Sequence, residues 1–437
     1  MSYFFLAILF IAELVKEGIF FGKRKRIPVV QMGFITAEIL FFLLLVIFGG
    51  LPLDTAWLFP GIYLVCSLIS AYFLFSEGKK KDGKRRKAAK YHPSALPVHL
   101  LLLFLCMIPA LLFPPMIPLP VTGGYAYETV SFTWTDDTRE EEFCSDGSSR
   151  RVAVQFWYPV SGEGETFPLI VFSHGAFGYR MSNYSAYTEL VSNGYVVCSV
   201  EHPYHAIFSE LNDGEVIIVD KRFMSDISRI NGDGMPEEEN FRVTRSWLRL
   251  RTDDLNFVMD EITRLCGEEG ASLPFSITDP DNIGLFGHSL GGAAAVTAGR
   301  ERPQVRAVID LDGTMLGEET GFADGKYQMN TEPYPVPLLC IDTSEHYEQG
   351  QRYGDQYVNH VILSLAKDGR EIQFTDAGHM NFTDLPLFSP PLAALLGTGK
   401  RDARECLVTM NGIIRDYFEV LVRKCVGNLY KSVLLPL

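Results

Sequence analysis

The sequence has few cysteines and lacks the residue spacings that mark a metal site. There are eight cysteines among 437 residues, and none stands with other cysteines or histidines at the short intervals of a zinc site. We therefore expect no metal and no cofactor. Four cysteines lie in apolar runs and are predicted to be membrane or core residues: Cys66, Cys106, Cys198 and Cys340. The other four could pair in an oxidising compartment, with undetermined connectivity: Cys144, Cys266, Cys406 and Cys425.

The chain also lacks an excess of basic residues after residue 120. Residues 1–120 carry a formal charge of +7 and the remainder carries −21, which together give the net charge of −14. Nucleic-acid binding depends on clustered lysine and arginine side chains that contact phosphates. The acidic C-terminal part therefore argues against a nucleic acid as partner.

Charged residues are missing from long stretches of the first 127 residues. Residues 56–76 and 93–127 contain no Asp, Glu, Lys or Arg, so each can supply the ~20 apolar residues that cross a bilayer. Residues 29–50 are interrupted only by Glu38 and are predicted as a further span rather than a buried soluble helix. Residues 2–21 form a span or an interfacial helix, since three charged residues lie in their second half. The sequence thus predicts three to four transmembrane helices.

Two basic runs predict the orientation of these helices. Residues 23–26 (Lys-Arg-Lys-Arg) and 79–87 flank the second and third apolar stretches on one side, and such runs collect in the cytoplasm. We therefore predict a multi-pass protein of the cell membrane, with a membrane segment over residues 1–120 and an extracytoplasmic domain over residues 121–437. A nuclear-localisation role for the basic runs is disfavoured by their place between apolar stretches.

Strand and helix patterns alternate in the predicted domain, which indicates an α/β fold with a mostly parallel central sheet and helices on both faces. The predicted strands are residues 129–134, 152–160, 168–172, 195–201, 283–286, 305–313, 336–341 and 371–375. The predicted helices are residues 187–193, 241–266, a helix after residue 289, and 402–424. Residues 203–240 are polar and longer than an ordinary connection, so they are candidates for part of a substrate pocket or a lid.

A Gly-x-Ser-x-Gly pattern stands between a predicted strand and a predicted helix, at Gly287, Ser289 and Gly291. The pattern arises by accident about 0.1 times in a chain of this length. The interpretation therefore depends on the predicted strand before the pattern and the predicted helix after it. In a nucleophile elbow the serine occupies a strained turn, and glycine is needed two residues away on each side because a Cβ would collide with neighbouring backbone. We predict that Ser289 is a nucleophile.

A glycine-bearing loop follows the predicted strand at residues 168–172, with the sequence Ser-His-Gly-Ala-Phe-Gly over residues 173–178. Acyl transfer through a serine places negative charge on the former carbonyl oxygen, which preorganised backbone N–H groups stabilise. One N–H group comes from the residue after the nucleophile, Leu290, and the other from this loop, where Ala176 is the best placed. A simple tight turn at residues 174–175 is the alternative.

Acidic residues end two of the later predicted strands. Asp312 and Asp342 both stand at such ends, where catalytic residues lie in open α/β sheets, and Asp310 is a weaker candidate. His379 follows the last predicted strand and completes the order Ser, Asp, His. Two other histidines, His346 and His360, do not follow that strand and are expected to have surface or helix roles.

Four segments together resemble the platelet-activating factor acetylhydrolase family, of the plasma and intracellular type II kind, within the α/β-hydrolase superfamily. They are residues 172–175 (Phe-Ser-His-Gly), 287–292 (Gly-His-Ser-Leu-Gly-Gly), 311–315 (Leu-Asp-Gly-Thr-Met) and 379–384 (His-Met-Asn-Phe-Thr-Asp). The resemblance covers residues 125–390. It implies Asp312 as the triad acid, and a calcium-independent serine esterase that favours short or oxidised acyl chains on lipid or other small esters.

Other functions remain open on these residues alone. The same triad serves a general carboxylesterase, a lipase, a polyester hydrolase or a peptidase. The fold also hosts proteins without catalysis, such as a membrane-bound binding module. The sequence does not determine the oligomeric state.

Overall fold

The computed structural model describes residues 2–48, 51, 55–78, 91–92, 94–162, 164–232 and 234–423. The basic run at residues 79–87 and Cys425 lie outside these ranges. The helices are α1 (Ser2–Lys23), α2 (Pro28–Ile47), α3 (Thr55–Gly78), α4 (Ala95–Leu112), α5 (Tyr184–Ser192), α6 (Lys221–Asn231), α7 (Glu237–Cys266), α8 (Leu290–Glu301), α9 (Ser344–Tyr353), α10 (Val358–Leu365), α11 (Leu385–Phe388), α12 (Pro390–Leu396) and α13 (Ala403–Phe418). The strands are β1 (Tyr127–Glu140), β2 (Ser149–Pro159), β3 (Phe167–Ser173), β4 (Val196–Glu201), β5 (Phe208–Glu210), β6 (Val216–Ile218), β7 (Thr278–His288), β8 (Val305–Leu311), β9 (Glu319–Ala323), β10 (Lys326–Met329), β11 (Leu338–Thr343) and β12 (Gly369–Phe374).

The chain divides into two units. A helical unit comprises residues 1–117 together with residues 385–395, and a sheet unit comprises residues 118–384 and 396–437. The helical unit is therefore built from two separate parts of the sequence.

Two helices of the helical unit are long and apolar enough to cross a membrane, namely α2 and the Ala56–Phe73 part of α3. The apolar part of α4 is shorter, from Leu96 to Leu112, and α1 carries charged residues in its second half. The prediction of three to four transmembrane helices is therefore not confirmed, although four helices form where the apolar stretches lie.

Charged side chains are buried inside the helical unit. Glu13, Lys16 and Glu17 of α1 are each 1% exposed, and Glu38 of α2 is 6% exposed. Lys16 contacts the Glu13 carboxylate, and the Tyr91 hydroxyl donates to Glu17 at 2.7 Å. Buried charges are tolerated where they find such partners. The residues that weaken α1 as a predicted span thus face the interior of the unit.

The sheet unit is organised around an eight-stranded sheet with the order β1-β2-β4-β3-β7-β8-β11-β12. The first two pairings, β1 with β2 and β2 with β4, are antiparallel, and every later pairing is parallel. This arrangement confirms the predicted α/β class with its large central sheet. The antiparallel pair extends further than expected, because β1 runs to Glu140 and β2 begins at Ser149.

Side chains along β7 face opposite sides of the sheet and pack under different helices. Ile283 and Leu285 belong to the core that includes residues of α7 and α8, whereas Phe286 packs against Phe418 of α13, with ring centroids 6.2 Å apart. Because successive side chains of a strand alternate between faces, this pattern places helices on both sides. Gly284 is required here, since a Cβ would lie 2.8 Å from the Phe418 ring.

Disulfide bonds do not form within the described part of the chain. All seven described cysteines are free, which includes Cys144, Cys266 and Cys406. The structure therefore contains no disulfide bond among these three, which the sequence left as able to pair.

Candidate active site

Ser289 occupies a strained turn between β7 and α8. Its backbone angles are φ 56° and ψ −125°, a region that costs about 1–3 kcal/mol for a residue with a side chain and that clusters at functional sites. A Cβ at Gly287 would strike the Gly291 carbonyl, and a Cβ at Gly291 would strike the Ser173 carbonyl. The two glycines therefore allow the tight turn that holds Ser289 at the N-terminus of α8.

Asp312 and His379 are hydrogen-bonded to each other. Asp312 follows β8, His379 lies beyond β12, and His379 Nδ1 is 2.6 Å from Asp312 Oδ2. The second oxygen, Oδ1, accepts the Thr343 N–H at 2.7 Å. Burial alone would raise the pKa of Asp312, but the hydrogen bond from His379 and the nearby His346 hold that pKa at about 2. Asp312 is therefore ionised and can orient the His379 ring.

Backbone contacts link these residues to the Ser289 turn. The Ser289 N–H donates to the Leu311 carbonyl at 2.8 Å, directly before Asp312. The ring of His288, next to Ser289, donates from Nε2 to the His379 carbonyl at 3.1 Å, and the two imidazole rings lie 4.4 Å apart. The structure thus brings the turns that carry Ser289, Asp312 and His379 together at the carboxyl ends of the parallel strands β7, β8 and β12.

The His379 turn is held by an asparagine from the same motif. Asn381 Oδ1 accepts the Gly378 N–H at 2.9 Å and the Gly399 N–H at 2.7 Å. Asp384, which ends the motif, accepts both the N–H and the hydroxyl of Ser185 at 2.6 Å. The asparagine and the aspartate therefore anchor the segment that carries His379.

The other predicted acids do not bond to His379 in the described residues. Burial and the neighbouring Asp312 raise the pKa of Asp310 well above its usual value. Burial and the neighbouring Asp310 and Asp312 likewise raise the pKa of Asp342 well above its usual value. A neutral carboxyl group cannot stabilise a charged imidazole as Asp312 can. Of the two other histidines, His346 lies beside Asp312, whereas His360 is about half exposed and 4.0 Å from Asp355.

The loop after β3 lies directly against the nucleophile turn. A Cβ at Gly175 would be 3.3 Å from the Ser289 Cβ and 2.8 Å from the His288 ring, so only glycine permits this approach. Phe177 has φ 60°, and its N–H is already bound to the His205 carbonyl at 3.0 Å. In the described ranges neither Ala176 nor Leu290 donates its N–H to another group. These two N–H groups are available beside Ser289.

A buried arginine that the sequence analysis missed holds this loop from behind. Arg251 of α7 is fully buried; its guanidinium donates to the His174 carbonyl and, at 3.4 Å, to the Gly175 carbonyl. The sequence contained a signal, because Arg251 stands three residues after Leu248 and four before Leu255, on the buried face of the helix. A charged residue at an apolar position of an amphipathic helix indicates a buried polar contact.

A second buried network supports the end of β3. The His202 ring lies between two polar partners. Its Nε2 is 2.9 Å from the Ser173 hydroxyl, and its Nδ1 is 2.9 Å from the Asp254 carboxylate. Arg150 Nη2 donates to Asp254 at 2.8 Å. Burial would raise the pKa of Asp254, but Arg150 and His202 hold it well below its usual value. Sequence analysis did not find this ion pair, since its members are about 100 residues apart.

The segment at residues 203–240 forms the β5–β6 hairpin and α6 and is tied to the loop after β3. The Ile207 N–H donates to the Gly178 carbonyl at 3.3 Å, and Phe177 forms a bridge with Ala206. The segment therefore borders the N–H group of Ala176.

Comparison with known proteins agrees with this geometry. A family model described as platelet-activating factor acetylhydrolase, isoform II, matches residues 147–419. The platelet-activating factor acetylhydrolase of Canis lupus familiaris is 25% identical over 258 residues, covering 56% of this chain and 54% of that protein. The Bos taurus protein of the same name is 27% identical over 268 residues, again covering 56% and 54%. The chain spans about half the length of the curated relatives it matches.

A solved structure shows the same fold. A ferulic acid esterase from Streptomyces cinnamoneus is 22% identical, with a TM-score of 0.52, and the match covers 72% of this chain and 96% of that one. This likeness supports the α/β-hydrolase fold of the sheet unit. Because the family model covers more than half of the sequence, the chain belongs to the family of platelet-activating factor acetylhydrolase, isoform II.

Proposed function

We propose that this protein is a membrane-anchored serine ester hydrolase that acts through a Ser-His-Asp triad and an acyl-enzyme. The observation that carries the proposal is the 2.6 Å hydrogen bond between His379 and an ionised Asp312, linked through backbone contacts to the strained turn of Ser289. Membership of an acetylhydrolase family supports ester cleavage.

In the proposed mechanism Ser289 attacks the ester carbonyl while His379 accepts its proton. Asp312 holds the imidazole in the required tautomer and stabilises its charged form. His379 then donates the proton to the leaving alcohol, and in the second half of the reaction it activates the water that releases the acid. The N–H groups of Leu290 and Ala176 stabilise the oxyanion of each tetrahedral intermediate.

The proposed substrates are esters with short acyl groups, including phospholipid esters. Two curated relatives are named platelet-activating factor acetylhydrolase. The charge of −21 after residue 120 disfavours anionic headgroups, so zwitterionic lipids or neutral small esters fit better. An anchor beside the bilayer would supply lipid at high local concentration.

An acyl-length series tests this function on the full-length protein in detergent or nanodiscs. We expect hydrolysis of p-nitrophenyl esters to fall by at least about tenfold from acetyl and butyryl to palmitoyl, and the same trend for the second chain of phosphatidylcholines. A preference for long chains would indicate a lipase instead. Activity on p-nitrophenyl esters alone would leave a general carboxylesterase, and no hydrolysis of any ester would contradict the proposal.

The localisation that we propose is the cell membrane, with residues 1–120 as a multi-pass segment and residues 121–437 as the extracytoplasmic catalytic domain. The candidate helices α2 and α3 and the basic runs at residues 23–26 and 79–87 support it. Protease added to intact cells should cleave the catalytic domain while the 79–87 loop stays protected. Cleavage of the domain only after permeabilisation would reverse the topology.

Arg251 is proposed as a positioning residue for the oxyanion site. Removing its hydrogen bonds to the loop carbonyls should loosen the loop that presents the Ala176 N–H, and losing one oxyanion donor costs about 10²–10³ in kcat. We expect Arg251→Ala to lower kcat on p-nitrophenyl acetate by up to about 10²–10³-fold, with little change in KM. Arg251→Lys should retain part of the kcat that the alanine variant loses.

Arg249 offers a matched control on the same helix. Its side chain is 67% exposed and, among the residues that the structure describes, its ion pair is with the exposed Glu142, so Arg249→Ala should have normal kcat. Circular dichroism should establish that each variant is folded. A folded Arg251→Ala protein with normal kcat would show that the arginine does not position the loop.

A further inference from the structure

A second group of potential ligands lies beside the proposed triad acid. Asp342 is the second-to-last residue of β11, and His346 is in the first turn of α9, which follows that strand directly. One side-chain ligand atom from each of Asp312, Asp342 and His346 lies within 4.8 Å of the other two. Of these three residues, only Asp312 takes part in the catalytic mechanism proposed above.

The oxygen of Asp312 that faces this group is not the one that binds His379. Oδ2 contacts His379 at 2.6 Å, whereas Oδ1 accepts the Thr343 N–H at 2.7 Å and lies 3.6 Å from His346 Nδ1. A carboxylate oxygen has two lone pairs. Besides the lone pair that accepts the Thr343 N–H, Oδ1 therefore has a second lone pair that could bind a ligand.

Two polar atoms in the group are buried without a hydrogen-bond partner among the described residues. They are Oδ1 of Asp342, whose residue is 1% exposed, and Nδ1 of His346. Buried polar atoms are nearly always satisfied by protein, water or an ion. Two such atoms in a group that also contains the ionised Asp312 point to a missing ligand with positive charge.

The distances suit a metal ion better than a direct hydrogen bond. At 3.6 Å, the His346 and Asp312 atoms are too far apart for a hydrogen bond. Two ligands of one tetrahedral zinc ion, with bonds of about 2.0–2.2 Å, are about 3.4 Å apart. Carboxylate oxygens and imidazole nitrogens are both zinc ligands, and zinc sites with three protein ligands can hold water in the fourth position.

We propose that Asp312, Asp342 and His346 form an inhibitory site for a divalent cation of the zinc type. The cation binds through deprotonated carboxylates and neutral Nδ1, and any proton on these groups is released to solvent. Its charge offsets the negative charge of Asp312, which weakens the support that Asp312 gives to His379. The inhibitory effect rests on the proposed function, whereas zinc binding itself does not. His346 is 20% exposed at its side chain, which provides access for the ion.

Direct binding tests the site independently of catalysis. Equilibrium dialysis of the full-length, chelator-washed protein against zinc chloride should give one bound zinc ion per chain. His346→Ala should weaken zinc binding by at least about tenfold. Mutation of a residue that merely orients a metal ligand already lowers metal affinity by about 10–100-fold, and His346 is proposed as a ligand itself. The matched control is His360→Ala, a half-exposed histidine on α10, which should bind zinc normally. His379→Ala should also bind, which separates this site from zinc bound at the catalytic histidine.

Ester hydrolysis then tests the inhibition. Zinc should lower wild-type turnover by at least about tenfold. The upper limit is the roughly 10⁴-fold loss caused by removal of a triad carboxylate. Adding a chelator should restore the turnover. In His346→Ala the same inhibition should need at least about tenfold more zinc. Absence of zinc binding by the wild type, or equal affinity in His346→Ala, overturns the site. Normal binding without any loss of hydrolysis overturns only its inhibitory role.

Discussion

Replacing Ser289 by alanine is expected to reduce turnover by about 10⁶-fold, by analogy with loss of the nucleophile in other serine hydrolases. The reason is that no other hydroxyl replaces Ser289 on its turn, so an acyl-enzyme cannot form. What remains is the smaller contribution of substrate binding and oxyanion stabilisation. The effect should appear in kcat on short-chain p-nitrophenyl esters.

A fluorophosphonate probe provides a second readout for the same change. The full-length protein should label at a single serine, and Ser289→Ala should abolish the label. Ser364→Ala is a suitable control, because the hydroxyl of this exposed serine on α10 donates to the Val361 carbonyl of its own helix. Equal labelling of wild type and Ser289→Ala would contradict the assignment of the nucleophile.

The second large effect is expected for Asp312→Asn, which should lower kcat by about 10⁴-fold. An amide in place of the carboxylate that contacts His379 at 2.6 Å favours the wrong imidazole tautomer and no longer stabilises the charged ring. The backbone need not move, because the asparagine Oδ1 can still accept the Thr343 N–H. Folding should therefore be nearly normal.

Asp342→Asn is the comparison that identifies the acid. Asp342 is a buried carboxyl group whose pKa is raised by burial and by Asp310 and Asp312, so a neutral amide resembles its state in the protein. In buffer without divalent metals we expect a loss in kcat of less than tenfold. The reverse order of effects would move the triad acid from the end of β8 to the end of β11.

The parts of the fold predicted from sequence are those fixed by local chemistry. The Gly-x-Ser-x-Gly pattern predicts the turn because the steric limits at Gly287 and Gly291 act between neighbouring backbone groups. Apolar periodicity predicts the alternation of strands and helices in the same way. The position of His379 after the last strand follows from the chain order of this fold.

The choice among acids required three-dimensional information. Asp310, Asp312 and Asp342 all end or follow apolar strands, and periodicity does not show which side chain meets His379. The contact depends on the loop after β8, where Asp312 takes φ 52°. The family resemblance favoured Asp312, and the structure places that residue against the histidine.

Long-range polar contacts were not predictable either. Arg251 meets the carbonyl groups of residues 174 and 175, and Arg150 meets Asp254, across separations of 76 to 104 residues. No periodic pattern links such residues. In the helical unit, likewise, the burial of Glu13 and Lys16 depends on neighbouring helices that the sequence of α1 does not specify.

The return of residues 385–395 to the helical unit has a consequence for genetic dissection of the protein. The polypeptide passes from one unit to the other after residues 117, 384 and 395, so no single cut separates the two. A gene that begins at codon 118 would encode α11 and most of α12 without the helices to which they belong. Leu395, which is already 79% exposed in the whole protein, would remain as exposed apolar surface on such a truncated product. Expression of the whole reading frame, or joint removal of codons 1–117 and 385–395 with a short linker, follows the architecture of the molecule.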